Sequence, residues 1–404
     1  MVKRNKNISK LQAGYLFPEI AKRRNEFIKN NPDAKVISLG IGNTTEPLTS
    51  HITKALMKAS EEMGTMEGYS GYGDEQGLLE LRQKIAEVWY EGIISAEEIF
   101  VSDGAKCDTG RLQFMFGSNA TIAVQDPAYP VYVDGSVIAG ATGNYNSEKK
   151  LFDIIAYMPC TPENDFFPDL SKTTKTDLIY FCSPNNPTGA SATREQLKQL
   201  VDFARKNNSI IIFDAAYACF IKDKNIPKSI FEIEGAKECA IELNSFSKPI
   251  GFTGVRLGWT VCPKELKFDD GTPVIKDWNR IMGTVFNGAS IIVQKAGLAA
   301  LDEQGLKEMK QMVDYYMDNA KLIKEGLDSA GIKSYWTGNS PYIWAEFSGK
   351  DSWDVFSELL EKKHIVTTPG AGFGPAGQGF VRFSAFGHRE DIKEAVERLK
   401  KAED

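Results

Sequence analysis

The sequence predicts an α/β protein, with a large domain built on a mainly parallel sheet between helices and a smaller α+β domain. Three observations carry this. At 404 residues the chain exceeds the usual size of one compact domain. From about residue 45 to 290, short β-branched runs alternate with amphipathic stretches, the pattern of strands joined by covering helices. After about 290 the alternation stops, and a long helical pattern leads into two strands and a final helix. Residues 1–44 then read as an N-terminal arm and part of the small domain, 45–290 as the large domain, and 291–404 as the small C-terminal domain.

In chain order, a helical stretch from about Pro18 to Asn30 precedes a short apolar run, Val36 to Leu39. Strands are expected at Ile99–Ser102, Thr121–Gln125, Leu178–Cys182, Ser209–Phe213 and Cys239–Leu243. Between two of them, Thr193 and Gln196 have the spacing of a capping box. It opens a helix whose Leu197, Leu200, Val201 and Ala204 recur every three to four residues. A long helix is expected from Ile291 to about Leu327, followed by strands near Tyr342–Phe347 and Phe380–Phe386. Residues 141–158 pass from polar to apolar and match no clear pattern.

Composition excludes several classes. An apolar fraction of 42% with 25% charged residues is that of a folded globular protein, and a net charge of −6 gives no basic footprint for nucleic acid. No apolar run is long enough to span a bilayer, and the basic N-terminus lacks the apolar core of a secretory signal. A cytoplasmic location is expected, or a plastid stroma if a transit peptide has been removed. Six scattered cysteines form no C-x-x-C pair and read as buried, reduced thiols. The three histidines, His51, His364 and His388, fall in no ligand pattern, so a metal site or a Ser-His-Asp triad has little support.

Three segments, each directly after an expected strand, carry chemistry. In Ser245–Trp259 (SFSKPIGFTGVRLGW), two hydroxyls, an amine and a guanidinium fall within a dozen residues. Ser245, Ser247 and Arg256 suit a phosphate dianion, and Lys248 can form an imine with an aldehyde. Gly251, Gly254 and Gly258 allow close backbone approach. Alone, the segment has a second, weaker reading as a Gly-rich loop with a solvated lysine. In Phe213–Phe220 (FDAAYACF), Asp214 ends a buried strand, which is costly unless it meets a cation such as a protonated pyridine nitrogen, or caps the next helix. In Cys182–Ala190 (CSPNNPTGA), two prolines fix a turn that can aim Asn186 inward, although turn chemistry alone accounts for Pro, Asn and Gly. A fourth pattern, Gly372–Gly377 (GFGPAG), satisfies G-x-G-x-x-G but precedes a strand and contains Pro375, so the dinucleotide reading fails.

The order N-P-T-G, D-x-x-Y, S-x-S-K and a downstream G-x-R-x-G resembles the fold-type I, class I/II aminotransferases along essentially the whole chain. The resemblance implies a seven-stranded type of central sheet and pyridoxal 5′-phosphate as cofactor. It makes Lys248 the catalytic lysine that holds the cofactor as a Schiff base, and Asp214 the partner of the pyridine nitrogen. Asn186 and Tyr217 become the contacts to the ring hydroxyl, and Ser245, Ser247 and Arg256 the phosphate cup. Tyr129 takes the place of the aromatic stacked on the ring. Gly104, Ala105 and Lys106 match the turn whose N–H groups meet the phosphate, and Tyr72 a tyrosine given by the other subunit of a homodimer. Arg382 takes the position of the arginine that clamps the substrate α-carboxylate.

Further segments, among them Ile41–Leu48, Gly68–Gly77, Ser102–Asp108 and Thr284–Ser290, resemble the branch of the family acting on LL-2,6-diaminopimelate in lysine biosynthesis. The implied reaction exchanges an amino group with 2-oxoglutarate or glutamate, and the keto product cyclises to tetrahydrodipicolinate. Tyr15, Gly42, Lys106, Asn287 and Glu75 then sit where substrate is recognised, together with Tyr129, Asn186 and Arg382. Glu75 and Asn287 would come from the neighbouring subunit. Glu75 suits the distal ammonium and Lys106 the distal carboxylate, though Lys106 could instead meet only phosphate or solvent. An aspartate-, aromatic- or kynurenine-type aminotransferase of the same fold is the alternative.

Overall fold

The seven strands of the central sheet lie in the order Ile99–Ser102, Gly258–Val261, Ala240–Ser245, Ile210–Asp214, Leu178–Cys182, Ile122–Asp126 and Ala156–Pro159. Gly258–Val261 runs antiparallel to both neighbours, and every other pairing is parallel. This computed structural model describes residues 1–11 and 16–401. The α/β class with a mainly parallel seven-stranded sheet is thus the one observed. Strands such as Leu178–Cys182 are buried at every position, because helices cover both faces of the sheet. Such strands read as unbroken apolar runs with no alternation.

All five expected strands are present, within a residue or two. Two more complete the sheet. Gly258–Val261 was concealed at the end of the Gly-rich segment. Ala156–Pro159 lies in the unmatched stretch, after a hairpin of Tyr145–Asn146 with Leu151–Phe152. The helix Arg194–Asn207 opens on the expected box: Thr193 accepts from the Gln196 backbone N–H, and the Gln196 side chain accepts from the Thr193 N–H. Its buried face is Leu197, Leu200, Val201 and Ala204.

The long helix expected from Ile291 is two helices, Ile291–Ala300 and Glu303–Ser329. Between them Asp302 turns its carboxylate to the Gly305 N–H at 2.8 Å, capping the second helix. A Cβ at Gly305 would stand 2.0 Å from the Ala299 carbonyl oxygen, so only glycine fits this corner. The second helix packs Met312, Val313 and Tyr316 into the core beside the large sheet. It then carries Ala320, Ile323 and Leu327 into a separate cluster with Ile343, Val381 and Phe383. Those last residues belong to an antiparallel sheet ordered Ser334–Tyr335, Tyr342–Glu346, Phe380–Ser384, Thr368–Pro369. The N-terminal strand Ile37–Ser38 pairs in parallel with Ile365–Val366, so the first residues of the chain pack against the last hundred.

All six cysteines are free thiols. Among the described residues, no cluster of His, Cys, Asp or Glu could hold a metal ion, and no helix is long and apolar enough to cross a membrane.

Candidate active site

Five parallel strands end on one edge of the sheet, and each hands the chain to a residue of a single cavity of about 500 Å³. Ser102 leads to Ala105, Asp126 to Tyr129, Cys182 to Asn186, Asp214 to Tyr217, and Ser245 to Lys248. Carboxyl edges of open α/β sheets are where ligands bind, because helices start there with unpaired N–H groups. The antiparallel strand Gly258–Val261 begins where its neighbours end, so Arg256, two residues before it, reaches the same edge.

One end of the cavity is built for an anion. The helix Ala105–Phe116 starts here, capped by Gly104 at φ 126°. A Cβ on Gly104 would lie 2.4 Å from Arg256 Nη2, so glycine is what lets the guanidinium lie against the helix start. Arg256 itself has φ 72°, an uncommon conformation for a side-chain-bearing residue. Its Nη1 donates to Ser247 Oγ at 3.3 Å, and Ser245 Oγ accepts from the Ser247 N–H at 3.0 Å. Two hydroxyls, a guanidinium and a helix N-terminus thus converge on one place.

Lys248 lies in the middle. Burial, and then the nearby Arg382 and Arg256 cations, pull its amine down to about 8. Its Nζ donates to the Gly42 carbonyl oxygen. Asp214 is buried, accepts from Tyr132 Oη at 2.6 Å and from the Ala216 N–H at 3.0 Å, and is pushed above the usual carboxylate range by burial. Asp214 thus ties down the turn that follows it and lines the cavity, but the N-cap of the next short helix is Tyr217 and not Asp214.

The far wall comes from the C-terminal sheet. Arg382 is 1% exposed and donates through Nη1 to Asn186 Oδ1 and through Nη2 to the Gly40 carbonyl, both at 2.6 Å. Its Nε is buried without a hydrogen-bond partner among the described residues, a donor left over for a ligand. Tyr342 packs its ring 4.2 Å from the guanidinium carbon and shares a 2.7 Å hydrogen bond with Tyr217 Oη. A Cβ on Gly42 would meet Tyr342 Oη at 2.5 Å, so glycine at this position leaves space on the cavity wall.

Gly42, Ala105, Lys106, Tyr129, Asn186, Asp214, Tyr217, Ser245, Ser247, Lys248, Arg256 and Arg382 all line the cavity, and Gly104 backs it. Tyr72, Glu75 and Asn287 do not. Tyr72 is 92% exposed, and Glu75 and Asn287 are also on the surface. Gly288, next to Asn287, would place a Cβ 3.8 Å from Glu75 Cα, so those two share one patch. Tyr15 lies outside the described residues. Sequence reasoning missed Tyr132 and Tyr342. Tyr132 falls within Asp126–Tyr132, a segment that drew attention only for Tyr129. Tyr342 is an isolated strand tyrosine, 125 positions from the hydroxyl it meets, and had no local signal.

A model of the family described as aminotransferase class I and II matches residues 34–399. The chain belongs to this family. A curated relative named chloroplastic LL-diaminopimelate aminotransferase, from Arabidopsis thaliana, is 60% identical over 99% of this aminotransferase and 87% of its own length. Another, LL-diaminopimelate aminotransferase of Protochlamydia amoebophila, is 55% identical over 100% of this chain and 98% of its own. The solved L,L-diaminopimelate aminotransferase of Chlamydomonas reinhardtii superposes with a TM-score of 0.95 at 60% identity, covering 99% of this chain and 98% of the other.

Aminotransferases of this class act with pyridoxal 5′-phosphate, and the residues present fit it. The anion end matches its phosphate, Lys248 its aldehyde, and buried Asp214 a protonated ring nitrogen. Asn186 and Tyr217 offer donors for a ring oxygen, and Tyr129 a face for the ring.

Proposed function

We propose that this aminotransferase moves an amino group between LL-2,6-diaminopimelate and 2-oxoglutarate, within lysine and diaminopimelate biosynthesis, with tetrahydrodipicolinate as the cyclised product. The observation that carries the substrate is 60% identity along nearly the whole chain to an enzyme named for it. The cavity chemistry supports the same reading.

When bound, pyridoxal 5′-phosphate supplies an aldehyde for amine exchange and a ring that draws electrons from the reacting carbon. Arg382, with Nε unpaired and Nη1 on Asn186, takes the α-carboxylate in a bidentate grip. Lys248 Nζ, its basicity brought near neutrality by burial and two guanidinium groups, removes the proton from substrate Cα and holds it for return. Asp214 is held by Tyr132 and the Ala216 N–H, which fixes the carboxyl that shares a proton with the ring nitrogen. Phe17 and Ile41 line the cavity with apolar surface, which would limit water around the reacting carbon once substrate is bound.

The substrate carries an ammonium and a carboxylate at its distal end, and each needs an opposite charge in a closed site. Lys106 serves that carboxylate. Glu75 and Asn287, exposed beside one another, serve the distal end in a second copy of the chain, where Tyr72 also reaches the phosphate. The working unit on this reading is a homodimer in the cytoplasm or a plastid stroma. The part formed by residues 1–44 and 291–404 closes on the part formed by 45–290 when Arg382 is occupied.

A coupled assay with LL- and meso-diaminopimelate as amino donors to 2-oxoglutarate tests the substrate. Turnover of the LL isomer alone, or far faster than meso, is expected, and equal rates would indicate a general aminotransferase. Sedimentation should show a dimer at assay concentrations, and a fully active monomer would remove the shared-site reading.

A further inference from the structure

Tyr342 is fully buried on the cavity wall, yet neither the sequence motifs nor the mechanism above gives it a task. It stands between two residues that have one. Its hydroxyl is 2.7 Å from Tyr217 Oη, and its ring lies under the Arg382 guanidinium at 4.2 Å. We propose that Tyr342 is a positioning residue for amino transfer: its hydroxyl donates to Tyr217 Oη, so that Tyr217 turns its own proton to the cofactor ring oxygen, while its ring seats the arginine that grips the substrate carboxylate.

The direction of the hydrogen bond follows from the surroundings. Burial raises both phenols, Tyr217 well above its ordinary value. At Tyr342 the largest opposing influence is the Arg382 cation covering the ring. A cation over a phenol makes it the better acid, and the better acid donates. Tyr217, with its oxygen accepting, has its own O–H left for the cavity it lines. Gly42 leaves the room this hydroxyl needs, since a Cβ there would stand 2.5 Å from Tyr342 Oη. The other titratable groups facing Tyr342 are Cys182 and Asp214. Lys248 is faced by Arg382, Arg256, Cys219 and Asp214. None of these is altered by removing the Tyr342 hydroxyl.

The inference rests on the aminotransferase reading and is tested on cofactor-loaded enzyme by absorbance against pH. The midpoint of the visible band reports the proton held at Lys248 Nζ. Loss of that proton leaves negative charge on the ring oxygen, which a well-polarised Tyr217 stabilises. Tyr342→Phe should therefore raise the midpoint by about 0.5–1 unit, the range expected of one hydrogen bond. In a Tyr217→Phe background the same change should shift it no further. Tyr342→Leu, which also removes the ring, should raise the substrate KM, whereas Tyr342→Phe should leave KM near that of the wild type. A Tyr342→Phe midpoint equal to wild type, or a second shift of full size in the Tyr217→Phe background, would overturn the inference and leave the aminotransferase reading intact. A wild-type chain with no cofactor band would overturn both.

Discussion

Lys248 offers the sharpest quantitative test, because its chemistry depends on the neutral amine. With the amine drawn down to about 8, roughly a tenth of it is neutral at pH 7, against about one part in 3,000 for an ordinary lysine at 10.5. The capture of pyridoxal 5′-phosphate by cofactor-free enzyme should then run about 300-fold faster at neutral pH than an unperturbed lysine allows. Its rate should climb tenfold per pH unit up to about 7.5 and level off above about 8.5. Burial is the largest cause and Arg382 the next, so Arg382→Met should move the plateau to higher pH without restoring ordinary lysine behaviour. Stopped-flow absorbance between pH 6 and 10 measures this directly. A rate still rising tenfold per unit at pH 10, or a plateau unmoved by Arg382→Met, would refute the account of what surrounds the amine.

Arg382→Lys replaces a fork by a point charge and should lower kcat/KM roughly 10- to 150-fold, the equivalent of about 1.5–3 kcal/mol for a lost charge-assisted bond, with cofactor affinity little changed. Gly104→Ala should weaken cofactor binding by at least about tenfold in a fluorescence titration, because a Cβ at φ 126° displaces Arg256 Nη2. Glu242, buried in the central sheet against Tyr90 and Ser229, is raised by burial from 4.5 to about 7. Its folded form keeps the proton longer than the unfolded chain does, so stability is full below pH 4.5 and falls by about 1.4 kcal/mol per unit until about pH 7. In urea melts between pH 5 and 8, Glu242→Gln should flatten that part of the slope, and an unchanged slope would exonerate the residue.

What the sequence made legible follows from where information is local. The five expected strands were readable because burial on both faces forces unbroken β-branched runs, and Lys248, Asp214 and Asn186 because each stands at or just beyond the end of one. Gly258–Val261 escaped since its partners lie on either side in space but its flanks read as a glycine-rich loop. The corner at Asp302 escaped because a helical period continues through it, and only the Asp302 cap and the close approach of Gly305 to Ala299 reveal the turn. Tyr342 was illegible in principle from one strand. Its meaning lies in a phenol 125 residues earlier and a guanidinium 40 residues later.

The carbonyl oxygens of Gly40 and Gly42 accept from Arg382 and Lys248. The backbone from Gly40 to Gly42 thus forms a ceiling over both working side chains. That ceiling is anchored by Ile37–Ser38 pairing with Ile365–Val366, a strand far later in the chain. Every strand of the central sheet lies before residue 262, well ahead of the second anchoring strand and of Arg382. A chain cut short between residues 262 and 364 would keep every strand of the central sheet in its sequence and lose both the anchor of this ceiling and Arg382.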